Sequence, residues 1–259
     1  MTGLQPRLPQ GYRLVSFDST GSTNDEAKRL ARGAAPEGTL VWALEQTAGR
    51  GRRGRVWVSP RGNLYASLIV RPDCPAGRAA QLGFVTALAL GDALRAKLPV
   101  IQGLSYKWPN DVLMHGRKLA GILLESETGA GGELAFVVIG VGVNLVSSPP
   151  EVEFSATSAS EEGFDPPSSA ALLEEFTKHF RSWLKRWRMT GFAPVRTAWL
   201  AGATPLGELI RVRLESGTLC GRFVDIDHEG ALLLETASER RRISVGEILS
   251  ASPSRNPCC

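Results

Sequence analysis

Four arginines stand close together at Arg50, Arg52, Arg53 and Arg55, interleaved with Gly49, Gly51 and Gly54 and followed by Trp57. Arginine presents a planar, permanently charged fork that meets phosphate or carboxylate oxygens two at a time. Glycine lets backbone N–H groups approach a ligand closely. The combination suits anions. Gly49, Gly51 and Gly54 match a GxGxxG spacing, but a dinucleotide fingerprint must open a helix, and Val56-Trp57-Val58-Ser59-Pro60 is not a helix start. No Gly-Lys-Ser/Thr follows, so a Walker loop is excluded too. A solvated basic turn and one copy of an RNA-binding arginine-glycine tract are the competing readings. A loop with this much like charge is expected to stay disordered until anions neutralise it, each charge-assisted hydrogen bond adding roughly 1.5–3 kcal/mol.

Other chemistries lack residues. His115, His179 and His228 are far apart, and Cys74, Cys220, Cys258 and Cys259 form no CxxC pattern. Zinc sites, a Ser-His-Asp triad and a Cys-His pair therefore find no support, and the cysteine usage fits a reducing compartment. The net charge of +4 suits an anionic ligand but is too mild to argue nucleic-acid binding. No apolar run reaches membrane-span length and the start lacks a signal-peptide core, so a cytoplasmic protein is expected.

The segments on either side of the loop carry clear secondary-structure signals. Residues 12–18 alternate like a strand, and Thr23 with Glu26 has capping-box spacing before a helix carrying Ala27, Leu30 and Ala31. Strands fit 39–45 and 63–71, on either side of the arginine loop. A buried helix fits 79–97, short strands 104–107 and 111–114, and longer ones 118–126 and 133–143. Residues 145–168, rich in Ser, Pro and Glu, read as a long surface loop with Phe154 and Phe164 its only aromatics. Helices return at 169–189 and 192–201. After Gly202, short β-like runs between glycine turns predict a small all-β barrel. The organisation expected is an α+β domain over 1–203 with a mixed sheet and a β-barrel domain over 204–259 ending in a disordered tail.

With these residues placed, the chain resembles the biotin protein ligases. The resemblance rests on Gly49-Arg50-Gly51-Arg52-Arg53-Gly54-Arg55 before Trp57, on Ser22-Thr23-Asn24, and on Lys107-Trp108-Pro109-Asn110-Asp111. Lys118-Leu119-Ala120-Gly121-Ile122-Leu123, Gly140-Val141-Gly142-Val143-Asn144 and the C-terminal Gly230-Ala231-Leu232-Leu233-Leu234-Glu235 extend it. It implies a catalytic domain of the class II synthetase/biotin ligase fold with an SH3-like C-terminal barrel. Biotin and ATP are the implied substrates, Mg²⁺ the implied ion, and a biotin carboxyl carrier domain the implied acceptor.

The resemblance also implies roles. Lys118 lies between the biotin carboxylate and the α-phosphate, with Lys107 a second phosphate contact. Arg50 and Arg52, with the backbone at Gly49 and Gly51, close over biotin and the adenylate phosphate. Arg53 and Arg55 face solvent or pyrophosphate, and Trp57 packs over the adenylate or anchors the loop. Ser22, Thr23, Asn24 and Gln46 fit the ureido head, which has one carbonyl acceptor and two N–H donors. Gly121 and Gly140 leave space for the ligand, and Asn144 reads adenine. Asn110 and Asp111 either hold Mg²⁺ or form a turn, the turn being preferred for Asp111.

Three rivals compete with this reading. A lipoate or octanoate ligase shares the adenylation logic, but no cysteine lies near these motifs. A DNA-binding repressor needs a helix-turn-helix module of roughly 60 residues where about 20 precede Ser22, so no DNA partner is expected. A synthetase fragment would need a more basic chain. A homodimer is compatible with the sequence, and no membrane partner is expected.

Overall fold

The computed structural model describes residues 5–98, 101–150 and 155–251, so Phe154 and the Cys258-Cys259 tail lie outside the described residues. The first half of the chain runs β1 (Arg13–Phe17), α1 (Thr23–Arg32), β2 (Thr39–Ala43), β3 (Leu64–Val70), α2 (Ala76–Ala79) and α3 (Leu82–Lys97). Next come β4 (Leu104–Lys107), β5 (Asp111–Met114), β6 (Arg117–Thr128), β7 (Leu134–Val143), α4 (Ser169–Thr190) and α5 (Ala193–Leu200). The chain closes with β8 (Leu209–Leu214), β9 (Gly217–Ile226), β10 (Leu232–Glu235), β11 (Arg240–Ile243) and β12 (Glu247–Ala251). The α+β class expected from the pattern is observed.

β1 to β7 form one mixed sheet in the order β1-β2-β3-β7-β6-β5-β4, with β1 and β2 parallel and the other neighbours antiparallel. The central strands are apolar at consecutive positions because both faces are covered. Leu40, Trp42, Leu68 and Val70 join the main core with residues of α3 and α4, while Val41, Ile69 and Val138 meet Ala27 and Ala31 of α1. Helix α1 covers only one end of its face. Further along that face the side chains shrink to Ser67, Gly140, Gly142 and Gly121, which neighbour one another in register. A concavity results.

Helix α1 begins one residue earlier than the Thr23–Glu26 spacing suggested. Ser22 is the N-cap and accepts from the Asp25 amide, and the Thr23 amide and hydroxyl donate to Gln46 instead. The region 145–168 differs more. Its described residues from 155 on are not an open surface loop: Lys118 N donates to Ser155 O at 2.8 Å, Thr157 N to Lys118 O at 3.0 Å and Ala159 N to Asn144 O at 3.1 Å. Thr157, Ser158 and Ala159 are fully buried, and Phe164 packs on the core. The polar composition misleads because the polar groups serve the segment itself. Glu161 accepts from the Ser158 and Ser148 amides, and Glu162 is held by His115 and Arg117.

The last five strands make an antiparallel, barrel-like sheet in the order β11-β10-β9-β8-β12. We propose the domain boundary at residues 203–204, although the two parts share one core. Trp108 Nε1 donates to Gly230 O at 3.0 Å, and Gly230 lies so close to Phe84 that a Cβ there would be 2.8 Å from the ring. Residues 202–204 also pair with β4, through Tyr106 N to Gly202 O and Thr204 N to Tyr106 O, both 2.8 Å. Among the described residues no helix is long and apolar enough to cross a membrane.

Candidate active site

The concavity is a cavity of about 190 Å³ walled by the α1 N-terminus, the arginine loop, the glycine face of β6 and β7, and Glu247 of the C-terminal sheet. Of the residues singled out in the sequence, Ser22, Thr23, Asn24, Gln46, Arg50, Gly51, Arg52, Trp57, Asn110, Asp111, Lys118, Gly121, Gly140 and Asn144 line it. Gly49, Arg53 and Lys107 do not.

Gly49 has a structural reason: a Cβ there would meet Trp57 O at 2.5 Å and Ser59 Oγ at 2.6 Å, in a turn closed by Trp57 N donating to Gly49 O. Arg53 is exposed, in a left-handed conformation with φ 57°. The other three arginines have protein partners, so the loop is folded rather than held apart by its own charge. Arg50 grips Asp25 with both terminal nitrogens, at 2.5 and 2.7 Å. Arg52 reaches Asn110 Oδ1 and Gly246 O, each at 3.3 Å. Arg55, expected to face solvent or pyrophosphate, forms a two-pronged pair with Glu247. Arg50 in turn holds the Asp25 carboxyl down to about 2, against a smaller opposing effect of burial. Burial pulls the Arg52 guanidinium below its usual value, Glu247 opposing it.

Asp111 corrects the turn reading. It opens β5 with its side chain almost wholly buried between two ammonium groups, Lys118 Nζ at 2.6 Å and Lys107 Nζ at 3.3 Å. Burial alone would raise its carboxyl, but the two lysine charges outweigh it and hold the group below the usual carboxylate range. Asn110 is committed as well, donating to Ile122 O at 2.6 Å and accepting from Arg52.

The glycines make room for side chains of the protein itself. A Cβ at Gly140 would meet Asn24 Oδ1 at 2.3 Å, and one at Gly142 would meet the Trp57 indole at 2.5 Å. At Gly121 the neighbours are Trp57 at 3.0 Å and Lys118 at 3.2 Å. Gly121 and Gly142 are cross-strand partners, so the indole lies on a flat platform without side chains, with Lys118 Nζ 5.4 Å from its ring centre. The Trp57 N–H is buried and finds no acceptor among the described residues. Asn144 donates to Thr157 O at 3.0 Å, tying the end of β7 to the 155–164 segment.

A polar cluster behind the wall was missed in the sequence. Asn24 donates to Glu125 at 2.7 Å, and Lys28 pairs with the other Glu125 oxygen at 2.8 Å. Ser67 contacts Asn24 Oδ1 at 2.6 Å and Thr23 Oγ1 at 2.7 Å. Strand alternation places Ser67, Gly140 and Glu125 on one face, but their cross-strand order depends on pairing that no short-range pattern reveals.

This geometry has relatives. The model of the biotin/lipoate A/B protein ligase family matches residues 16–144, and that of the biotin protein ligase C-terminal domain matches residues 206–249. The biotin–[acetyl-CoA-carboxylase] ligase of Paracoccus denitrificans is 45% identical over 88% of this chain and 97% of its own. The bifunctional ligase/repressor BirA of Bacillus subtilis is 36% identical over 92% of this chain and 74% of its own. Among solved structures, the Aquifex aeolicus biotin protein ligase in complex with biotin and ATP superposes with a TM-score of 0.78 at 28% identity, covering 91% of this chain and 97% of that one. The chain belongs to the biotin protein ligase family.

Proposed function

We infer that the chain activates biotin with ATP and transfers the biotinyl group to a lysine of a biotin carboxyl carrier domain. The observation that carries this reading is the convergence of Lys118, Arg52 and the Ser22-Thr23-Gln46 group on one cavity wall. In the first step a biotin carboxylate oxygen attacks the α-phosphorus and the bond to pyrophosphate breaks. In the second, the acceptor amine attacks the mixed-anhydride carbonyl, AMP leaves, and the amine loses a proton. Both partners of the first step are anions, so the protein's task is to hold them together and stabilise the charge gathering on phosphorus.

Lys118 is assigned the place between the carboxylate and the α-phosphate. Arg52 is assigned to the phosphate, and the Trp57 indole, packed on the Gly121 and Gly142 platform, to anchoring the loop. Arg50, gripped by Asp25, serves mainly to hold the loop, which offers its backbone at Arg50 and Gly51. Lys107 acts through Asp111, keeping that carboxylate from capturing Lys118 alone. Asn144 would read adenine through its Oδ1, its Nδ2 being committed to Thr157.

Asn110 and Asp111 do not fit a protein-borne Mg²⁺ site. The Asn110 carbonyl accepts from Arg52, the Asp111 carboxylate lies between two lysines, and no cluster of acidic, His or Cys ligands occurs among the described residues.

The test is ATP–pyrophosphate exchange with biotin or lipoate as the acid. Exchange is expected with biotin and at most weakly with lipoate; exchange with lipoate alone would move the chain to the lipoate branch of the family.

A further inference from the structure

A lysine placed against the activated acid is a hazard to the protein that carries it. The mixed anhydride is reactive toward amines, and Lys118 is an amine on the cavity wall. An arginine would supply the same charge without that risk, since a guanidinium stays protonated. Lys118 is harmless only as an ammonium, which has three donors and no lone pair with which to attack.

The groups around Lys118 divide into those that keep its proton and those that repel it. Asp111 Oδ1 lies 2.6 Å from Nζ, on a side chain only 7% exposed, and the two lysine charges hold it ionised against its burial. The Trp57 ring, centred 5.4 Å from Nζ, also favours a cation. Against them stand Lys107, whose Nζ is 3.3 Å from the other Asp111 oxygen, and Arg52, on the same cavity wall. Hydrogen bonds to Ser155 O and from Thr157 N fix the Lys118 backbone in place. Among the described residues, Asp111 is the one carboxylate paired with Lys118. Without it, cations face each other, an arrangement that turns a lysine into a nucleophile.

On the reading that the cavity holds biotinyl-adenylate, we propose that Asp111 is a positioning residue that protects the chain from acylating itself. It holds the proton on Lys118, and in its absence Lys118 becomes the acceptor of the biotinyl group. In that step the Nζ lone pair attacks the anhydride carbonyl, and the bond to the phosphate oxygen breaks. AMP leaves with the electron pair, and the nitrogen gives up a proton to water as the amide forms. A small neutral fraction suffices, because attack within a bound complex avoids the cost of bringing two molecules together.

The test supplies biotinyl-adenylate directly and in excess, so that slow activation cannot hide the effect. It compares the native protein, Asp111→Asn, and Asp111→Asn combined with Lys118→Arg. Native mass spectrometry reports bound adenylate, and peptide mapping locates acylated lysines. In the native protein Lys118 is expected to gain biotin more slowly than the exposed Lys178 and Lys185. In Asp111→Asn, labelling of Lys118 is expected to rise at least about tenfold, the smallest step expected from removing one adjacent opposite charge. That labelling should vanish in the double variant, while labelling of Lys178 stays as in the native protein. A folded Asp111→Asn that binds the adenylate without a gain at Lys118 overturns the proposal. So does a native protein labelled first at Lys118, and that comparison decides alone if the variant fails to fold or to bind. A native protein that binds no biotinyl-adenylate overturns the underlying reading instead.

Discussion

Replacing Lys118 with alanine is expected to lower the rate of biotin-dependent adenylation by about 10²–10³-fold, the loss typical when one preorganised electrostatic group is removed from a transition state. Lys118 is the ammonium on the cavity wall nearest both the glycine platform and the indole, and Asp111 and Trp57 hold it from two sides. Lys107 cannot take over, since it stands off the wall on the other side of Asp111. The loss should fall chiefly on kcat, because Thr23, Gln46 and the loop backbone still hold the ligand head. Steady-state exchange kinetics would check it. A kcat within about threefold of native, well short of the loss expected for such a group, would send the central role to the arginines.

The second large effect concerns stability. Asp111→Ala is expected to cost about 3 kcal/mol, the low end of the range for breaking a buried ion pair, because Lys118 keeps some contact with solvent. Without the carboxylate, two ammonium groups face each other across an uncharged gap. The sign of the pH dependence follows from the direction of the shift. The folded-state value is depressed, so the stabilisation is present above the ordinary carboxylate value of about 3.9 and is lost as pH falls through the lower folded-state value. Denaturant melts of the native protein and of Asp111→Asn should therefore differ by a constant amount from neutrality to about pH 4 and converge below it. A difference that grows on acidification would contradict this placement of Asp111.

How far the sequence could be read depended on the range of each interaction. The strands of the central sheet were legible because burial on both faces writes continuous apolar runs such as Phe136-Val137-Val138-Ile139. The arginine loop was legible because its residue types are unusual together. The partners of those arginines were not: Asp25 lies 25 residues from Arg50, and Glu247 lies 192 residues from Arg55. The Asp111 counter-ion reads as a turn residue because Pro-Asn-Asp is good local turn chemistry, while the pairing of β5 with β6 that sets Lys118 beside it is tertiary. Gly140 and Gly142 were visible as glycines, but their occupants, Asn24 and Trp57, come from elements far away in the chain. Polar composition misread residues 155–164 because the polar groups are satisfied within the fold instead of by water.

The proposed reaction ends in the transfer of biotin to a protein lysine. The most direct measurement is the intact mass of a biotin carboxyl carrier domain after incubation with the purified chain, biotin, ATP and Mg²⁺. A single biotinyl addition, dependent on ATP and abolished when the acceptor lysine is replaced, is the expected result. An acceptor that stays unmodified with biotin, while a lipoyl domain gains lipoate under the same conditions, would contradict it.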